Sequence, residues 1–413
     1  MSLRTSLFIA VFSLSMIAGH LLAGPFSVAD PPKNIGAPVN SAANDFAPAL
    51  GPDGSYMIFN SNRSGKYQDL YISHFKEGAW QTPRPLTRLN SPYNDESPFL
   101  SSDGKILVFS SDRDGSYELP ADEKGQIKVS FDLYWSSMVE GEWTVPERLP
   151  GEVNTASHEK APSLSRDGMT LYYCVWPFGD ISLATIMTAE FKDEGFRDTK
   201  PMPEPFNSGY RDLALIPAED LEGFFFSSMR PDTLGQFDIY FVSYKNRTFG
   251  QPVNLGEKIN SAESEIYLSR ADQRYFITSN RQGGKGLFDL YSAFIFSQEA
   301  NFETRAILFD FDKSAIKAES YPYLDALAKF LISHGDIGLE IIGHTDLHGT
   351  DDYNNRLSLD RAESVKKYLA GKGLDAARFR ISGAGRTRPV VNQTGEGYDE
   401  LNRRTEFRIV KNK

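Results

Sequence analysis

Along residues 34–297 apolar and aromatic residues fall in short runs bounded by Gly, Asp, Asn or Pro, the pattern of brief strands joined by tight turns. The strongest runs are "SYMIFNSNR", "KILVFSSDR", "TLYYCVW", "GFFFSSMR" and "RYFITSNR". Three of them follow "PDG" at Pro52–Gly54, "SDG" at Ser102–Gly104 and "RDG" at Arg166–Gly168, where Asp-Gly suits a hairpin. After them come "QDLYIS", "FDLYWS", "FDIYFV" and "FDLYSA", with "ISLATI" a degenerate third, and then an aromatic-proline strand such as "GAWQTPRPL" or "RTFGQPVNL". From about Arg305 the pattern changes. "RAILFDF" predicts a strand, "AESYPYLDALAKFLISHG" a helix, "IGLEIIGHTD" a strand ending in a loop, the stretch from Tyr353 toward Gly371 a second helix, and "RFRISGAG" and "RRTEFRIV" two more strands. Strands alternating with helices predict an α/β sandwich.

Cut at an Asn-Ser or Asn-Thr pair, the first part repeats. "VNSAANDFAPAL", "LNSPYNDESPFL", "VNTASHEKAPSL", "FNSGYRDLALIP" and "INSAESEIYLSR" begin at Val39, Leu89, Val153, Phe206 and Ile259, spaced by 50, 64, 53 and 53 residues. Periods of this size mark propeller blades or comparable arrays, and four strands per unit is the content of one blade. The fifth unit ends in "FIFSQEANFE" without its aromatic-proline strand, whereas "PPKNIGAPVNS" before the first unit matches "QPVNLGEKINS" before the fifth. The amino-terminal segment is therefore expected to supply the missing strand, giving an all-β propeller of five four-stranded blades, with a sixth degenerate blade as the alternative. These motifs resemble the TolB-type, WD-like (PD40-type) β-propeller repeat of bacterial envelope proteins.

A residue that recurs in every blade reads as architecture. The turn aspartates and the Ser-Asn-Arg and Ser-Asp-Arg endings recur in most blades, and with Phe237, Asp238, Phe288, Asp289, Trp80 and Trp143 they are read in that way. The second unit carries the insertion "GSYELPADEKGQIKVS", a loop of the kind that binds. "DRDGSYE", Asp112–Glu118, has its Gly misplaced for an EF-hand, so no metal is assigned there.

The 413 residues allow two or three domains, and a net charge of -11 with no basic cluster excludes a nucleic-acid partner. The first thirty residues show one early charge, Arg4, an apolar run from Leu7 to Ile17 and then small residues, the layout of a secretory signal. Ser27 and Ala29 place cleavage before Asp30, with Ala23 the second candidate; no cysteine lies near either point, which excludes a lipoprotein anchor. The rival, an uncleaved anchor, is disfavoured by a run that is short for a bilayer and interrupted by His20. The expected organisation is a signal peptide at 1–29, a TolB-like propeller at 30–297, a linker at 298–304 and the α/β domain at 305–413. No direct membrane span is expected after cleavage. The single cysteine, Cys174, reads as a buried strand residue rather than a nucleophile.

The second helix raises the chemical question. Thr350, Asp351 and Asp352 suit its cap, and Leu357, Val365 and Leu369 recur at helical spacing, yet Arg361 stands in the middle of that row and Asn354 one heptad earlier. A buried guanidinium stripped of its partner costs about 3–5 kcal/mol, so Arg361 must have one, either internal, such as Asp346, or a ligand. Arg403 is a second misfit, sharing a strand face with Phe407 and Ile409.

"ILFDFDKSAI", "IIGHTDLHGTDDYNNRLSLDRAESVKKYL", "ISGAGRTRPV" and "LNRRTEFRIV", in this order, resemble the OmpA-like peptidoglycan-binding domain over Arg305–Val410. The resemblance implies that the domain holds the diaminopimelate residue of the stem peptide noncovalently. It makes Asp346 and Arg361 the principal ligands for the ammonium and carboxylate ends, with Thr345, Asn354, Leu357, Arg403 and Asp312 lining the pocket. His348, Asp351 and Asp352 add charge to the loop beyond the family's pattern. The chemistry agrees, since a guanidinium grips a carboxylate through two charge-assisted hydrogen bonds while a carboxylate takes an ammonium. His344, Asp346 and His348 alternate in a loop without a further strong ligand, so neither a metal nor a cofactor is expected.

The expected protein is periplasmic, associated with the cell wall and outer membrane of a Gram-negative-type envelope, with the propeller presented to an unidentified envelope protein or glycan. A wall-anchored glycan or peptide hydrolase is the alternative. His74 and His158 are the only histidines of the propeller and Gly-x-Ser-x-Gly is absent, so a serine triad lacks support; acidic pairs stay open, and no catalytic residue is assigned. A purely structural link from wall to outer membrane would need an anchor that neither a lipobox nor a barrel supplies.

Overall fold

The computed structural model describes residues 26–28, 31–118, 129–271, 274–297, 307–333, 335, 337–389, 394–395, 399 and 402–411. Most of the expected signal stretch, the centre of the second unit's insertion and the linker lie outside the described residues. Each repeat folds into one antiparallel sheet, with inner strands Asp45–Leu50, Asp95–Leu100, His158–Leu164, Asp212–Ala218 and Glu265–Ala271. Two further strands follow in sequence order outward, and an outermost strand completes each sheet, split into two short pieces in four of the five. The fifth sheet takes its outer pieces, Phe26–Val28 and Lys33–Asn34, from the amino-terminal end, where they pair with Asp289–Ser297. Phe26–Val28 therefore lies inside the stretch 1–29 that the sequence assigns to the signal.

Every inner strand breaks register at the same place. The breaks fall at Phe46/Ala49, Glu96/Phe99, Lys160/Ser163, Leu213/Ile216 and Ile266/Ser269. Inside each bulge one non-glycine residue is left-handed: Ala47, Ser97, Ala161, Ala214 and Tyr267, with φ between 48° and 54°. Such a backbone persists only when its surroundings over-determine it. The neighbouring sheet does so. Ala47 N donates to Thr278 Oγ1 at 3.0 Å, Ser97 N to Asn60 Oδ1 at 3.0 Å and Ala214 N to Cys174 Sγ at 3.4 Å, each acceptor lying on the second strand of the preceding sheet. Cys174 thus does the work of a hydroxyl or amide, and burial pushes its thiol up to about 12. The bulged residues close round the axis and leave a cavity of about 20 Å³ lined by Ala47, Ser97, Ala161, Ala214 and Tyr267, with room for about one water.

The repeated acid and arginine form a clamp at the other end of the second strand. Arg63 pairs with Asp45, Arg113 with Asp95, Arg230 with Asp212 and Arg281 with Glu265, and all four carboxylates are fully enclosed. Each guanidinium also donates to a main-chain carbonyl just upstream, of Val39, Leu89, Pro205 and Ile259 respectively, and lies over an aromatic ring of its own sheet. The third sheet departs: Pro177 replaces the arginine, and Glu159, wholly buried, is held by the Thr155 N–H and hydroxyl alone among its described hydrogen bonds. Burial pushes its carboxyl up to about 8 despite those bonds.

The carboxy-terminal sheet has the strand order Ile307–Leu308, Arg404–Lys411, Ile337–Gly343, Phe379–Gly383, with only the last pair parallel. Of the strand expected from "RAILFDF", Ile307–Leu308 is seen among the described residues, and a bridge from Phe309 to Ile316 folds the following loop back. Helices α1 (Tyr321–Ser333) and α2 (Asp351–Gly371) cover one face, burying Leu324, Leu327, Leu331, Val365 and Leu369 against Leu339, Ile341 and Phe407. At Gly343 the sheet lies so close to α2 that an added Cβ would stand 1.8 Å from the Ser358 carbonyl oxygen.

Candidate functional site

The site grows from the end of Ile337–Gly343, where "HTD" leaves the sheet, and the start of α2. Of the three possible caps, Thr350 is the one used: its side chain accepts from Tyr353 N. This fixes the helix phase so that Asn354, Ser358, Arg361 and Ala362 point inward, while Leu357 is only half-buried.

Arg361 is completely enclosed, and its partner is neither Asp346 nor another side chain. Nη1 donates to the His344 carbonyl at 2.8 Å, Nε to Lys313 O at 3.0 Å and Nη2 to Asp310 O at 3.2 Å, with the guanidinium 5.2 Å from the centre of the Phe309 ring. Burial pulls it down to about 10; Asp346 pulls the other way and Arg403 adds repulsion. Among the described residues the internal Arg361–Asp346 ion pair considered from sequence is thus replaced by three main-chain carbonyls, which use three of the five donors.

Asp346 pairs instead with Arg403, Nη1 to Oδ2 at 3.3 Å, and accepts the His348 N–H on Oδ1 at 3.1 Å. Arg403 Nε also reaches Phe309 O at 3.3 Å, so one loop carries carbonyl acceptors for both arginines. Thr345 N donates to Gly385 O at 2.9 Å and Asn354 Nδ2 to His348 O at 2.7 Å, which makes both of them supports of the loop. Asp312, left-handed at φ 57°, takes the Tyr353 hydroxyl at the rim. Six of the seven residues singled out from sequence thus meet around the loop Asp310–Lys313 and the "HTD" turn; Leu357 lies one turn along α2.

Three participants escaped sequence reasoning. Asp399 is buried, and its Oδ2 lies 3.1 Å from His348 Nε2 and accepts Gly395 N at 3.2 Å. His348 and Asp399 are 51 residues apart, and nothing local signals the pair. Tyr353 was visible only as the first residue of the helix. Behind the site His344 is buried 3.4 Å from Glu406. Burial would raise the Glu406 carboxyl, but His344 and Arg404 hold it down at about 2.

The OmpA family matches residues 308–403. The peptidoglycan-associated lipoprotein of Haemophilus influenzae is 35% identical over 130 residues, which cover 31% of this chain and 82% of that protein. The chain belongs to the OmpA family through its carboxy-terminal domain. Outer membrane porin F of Pseudomonas fluorescens is 40% identical over 103 residues, 25% of this chain and 32% of the porin. The chain spans only about half, 53%, of outer membrane protein A of Bordetella avium. Over the repeats, the solved structure of a putative TolB from Agrobacterium tumefaciens aligns with 64% of this chain and 75% of that one, at TM-score 0.36 and 14% identity. The architecture of the repeats rests on the five sheets themselves.

Among the described residues no group of three or more His, Cys, Asp and Glu is placed to hold a metal, and no helix is long and apolar enough to cross a membrane. In the repeats, His158 Nδ1 accepts the Phe131 N–H at 3.1 Å, the role that Asn94 Oδ1 plays for Gln68 N and Asn44 Oδ1 for Phe288 N. Burial, with Lys160 adding repulsion, pulls this imidazole down to about 4. It is a strand-end cap in an unusual residue type.

Proposed function

We propose that this OmpA-family protein is a periplasmic envelope protein that holds peptidoglycan noncovalently and presents a five-bladed propeller, closed by its amino-terminal strand, to a protein or glycan partner. The observation that carries the wall-binding half is Arg361: an enclosed guanidinium fixed by three carbonyls, with donors to spare, beside the Asp346–Arg403 pair. In this reading the carboxylate of diaminopimelate takes the free edge of the Arg361 fork and the ammonium joins Asp346, with Arg403 balancing the charge. Entry requires the Asp310–Lys313 loop to lift, and the Tyr353–Asp312 contact is its latch. The relative named for its association with peptidoglycan supports the assignment.

The propeller reads as a scaffold rather than an enzyme, because His158 spends its acceptor on a main-chain N–H. Cosedimentation of the mature protein with diaminopimelate-containing sacculi tests the wall-binding half. Wild type is expected in the pellet and Arg361→Ala and Asp346→Ala in the supernatant; wall binding retained by both would refute the site. Turnover of a glycan or peptide by the propeller would refute the scaffold reading.

A further inference from the structure

We propose that the mature chain keeps Phe26, so that export processing cuts after Ala23 and not after Ala29. The inference rests on reading the repeats as a closed ring in an exported protein. Four of the five sheets make their outer strand by a hairpin from the third, and each such strand carries an aromatic: Trp80 opposite Phe75, Trp143 opposite Met138, Phe196 opposite Phe191 and Phe249 opposite Tyr244. These rings wedge against the preceding sheet or its edge. Trp80 lies 5.6 Å from Phe276, Phe249 packs against the cluster that contains Cys174 and Ile186 of the third sheet, and Trp143 shares a cluster with Ile58 and Leu70 of the first.

The fifth sheet has no such hairpin. Its place is taken by Phe26–Val28, paired antiparallel as Phe26 with Ser297, Ser27 with Phe296 and Val28 with Ile295. Val28 holds the register position of the four aromatics, and Phe26, two residues along and so on the same face, supplies the ring. That ring lies 4.8 Å from Phe241, edge-on, and 5.6 Å from Phe225, both on the preceding sheet. The wedge of the other sheets is thereby reproduced by a residue that cleavage at Ala29 would discard. Loss of the strand would also bare the edge of Asp289–Ser297 from Ile295 onward, an unpaired ladder that a closed ring exists to avoid. Ala23 is one of four small residues between the apolar run and Phe26, with Ala18, Gly19 and Gly24, and it follows Leu21 and Leu22; a cut after it leaves Phe26 in the mature chain.

The test is intact-mass measurement and amino-terminal sequencing of the full chain, produced with its own leader in a Gram-negative host and recovered from the periplasm. The expected start is Gly24. A mature chain starting at Asp30 overturns the proposal, and so does an exported chain that keeps Met1. A second measurement covers the strand itself: Phe26→Ala, and a chain begun at Asp30, should each lower the propeller's thermal midpoint by several degrees. Midpoints equal to that of the chain begun at Gly24 would contradict the role given to Phe26. Failure of the mutated Arg361 and Asp346 variants to lose wall binding would leave both of these results untouched.

Discussion

Arginine, not lysine, is required at 361 because the three carbonyls it binds lie around a planar fork, at 2.8, 3.0 and 3.2 Å. Arg361→Lys should therefore lose most of those bonds, lower the domain's thermal midpoint and abolish cosedimentation with sacculi; a lysine variant that melts and binds like wild type would contradict the assignment. Glu159 makes a different prediction. Its folded carboxyl sits at about 8 against an ordinary 4.5, so between those values the unfolded chain gives up a proton that the folded chain keeps. Its contribution to stability is full below about 4.5, falls as pH rises through that window and is lost above about 8. Glu159→Gln should flatten this slope in denaturant titrations at pH 5 and pH 9, being close to neutral at the first and stabilising at the second, by up to a few kcal/mol. The missing arginine of the third unit was legible in "TLYYCVW" beside "SYMIFNSNR"; the fate of the orphaned acid was not, because it depends on how completely the sheet encloses it.

The bulge is the element that ties each sheet to the next. Cys174→Ser keeps an acceptor for Ala214 N and should leave stability nearly unchanged, whereas Cys174→Val leaves that buried N–H unpaired and should cost about 1–3 kcal/mol in urea unfolding. Equal effects of the two would remove the capping role. Periodicity made the hairpins, the order of strands and α2 readable, since Asp-Gly turns, aromatic runs and a Thr cap act within a few residues. The bulges were not readable: Ala47, Ser97 and Tyr267 share no side-chain type that favours a left-handed backbone, and the acceptors that hold Ala47 and Ser97 come from another sheet. The same limit hid the Asp346–Arg403 pair and the His348–Asp399 pair, each joined across more than fifty residues.

At the scale of the whole molecule, the proposed function joins the five sheets to a domain that holds the wall, and it would concentrate whatever the sheets bind near the wall without any contact between that partner and the OmpA-family domain. The ring's axis has room for about one water, which directs attention to its ends rather than its bore. Capture of envelope proteins by the protein fixed to a resin should accordingly be independent of Arg361; partners lost with Arg361→Ala on the resin would place their site on the OmpA-family domain. The central claim is tested most directly by calorimetric titration of the mature protein with meso-diaminopimelate, alongside its monoamino analogue 2-aminopimelate. Saturable binding of diaminopimelate, at least tenfold weaker in Asp346→Asn and Arg361→Ala that remain folded, is the predicted result. Absence of heat with wild type, or equal affinity in all three proteins, would contradict it.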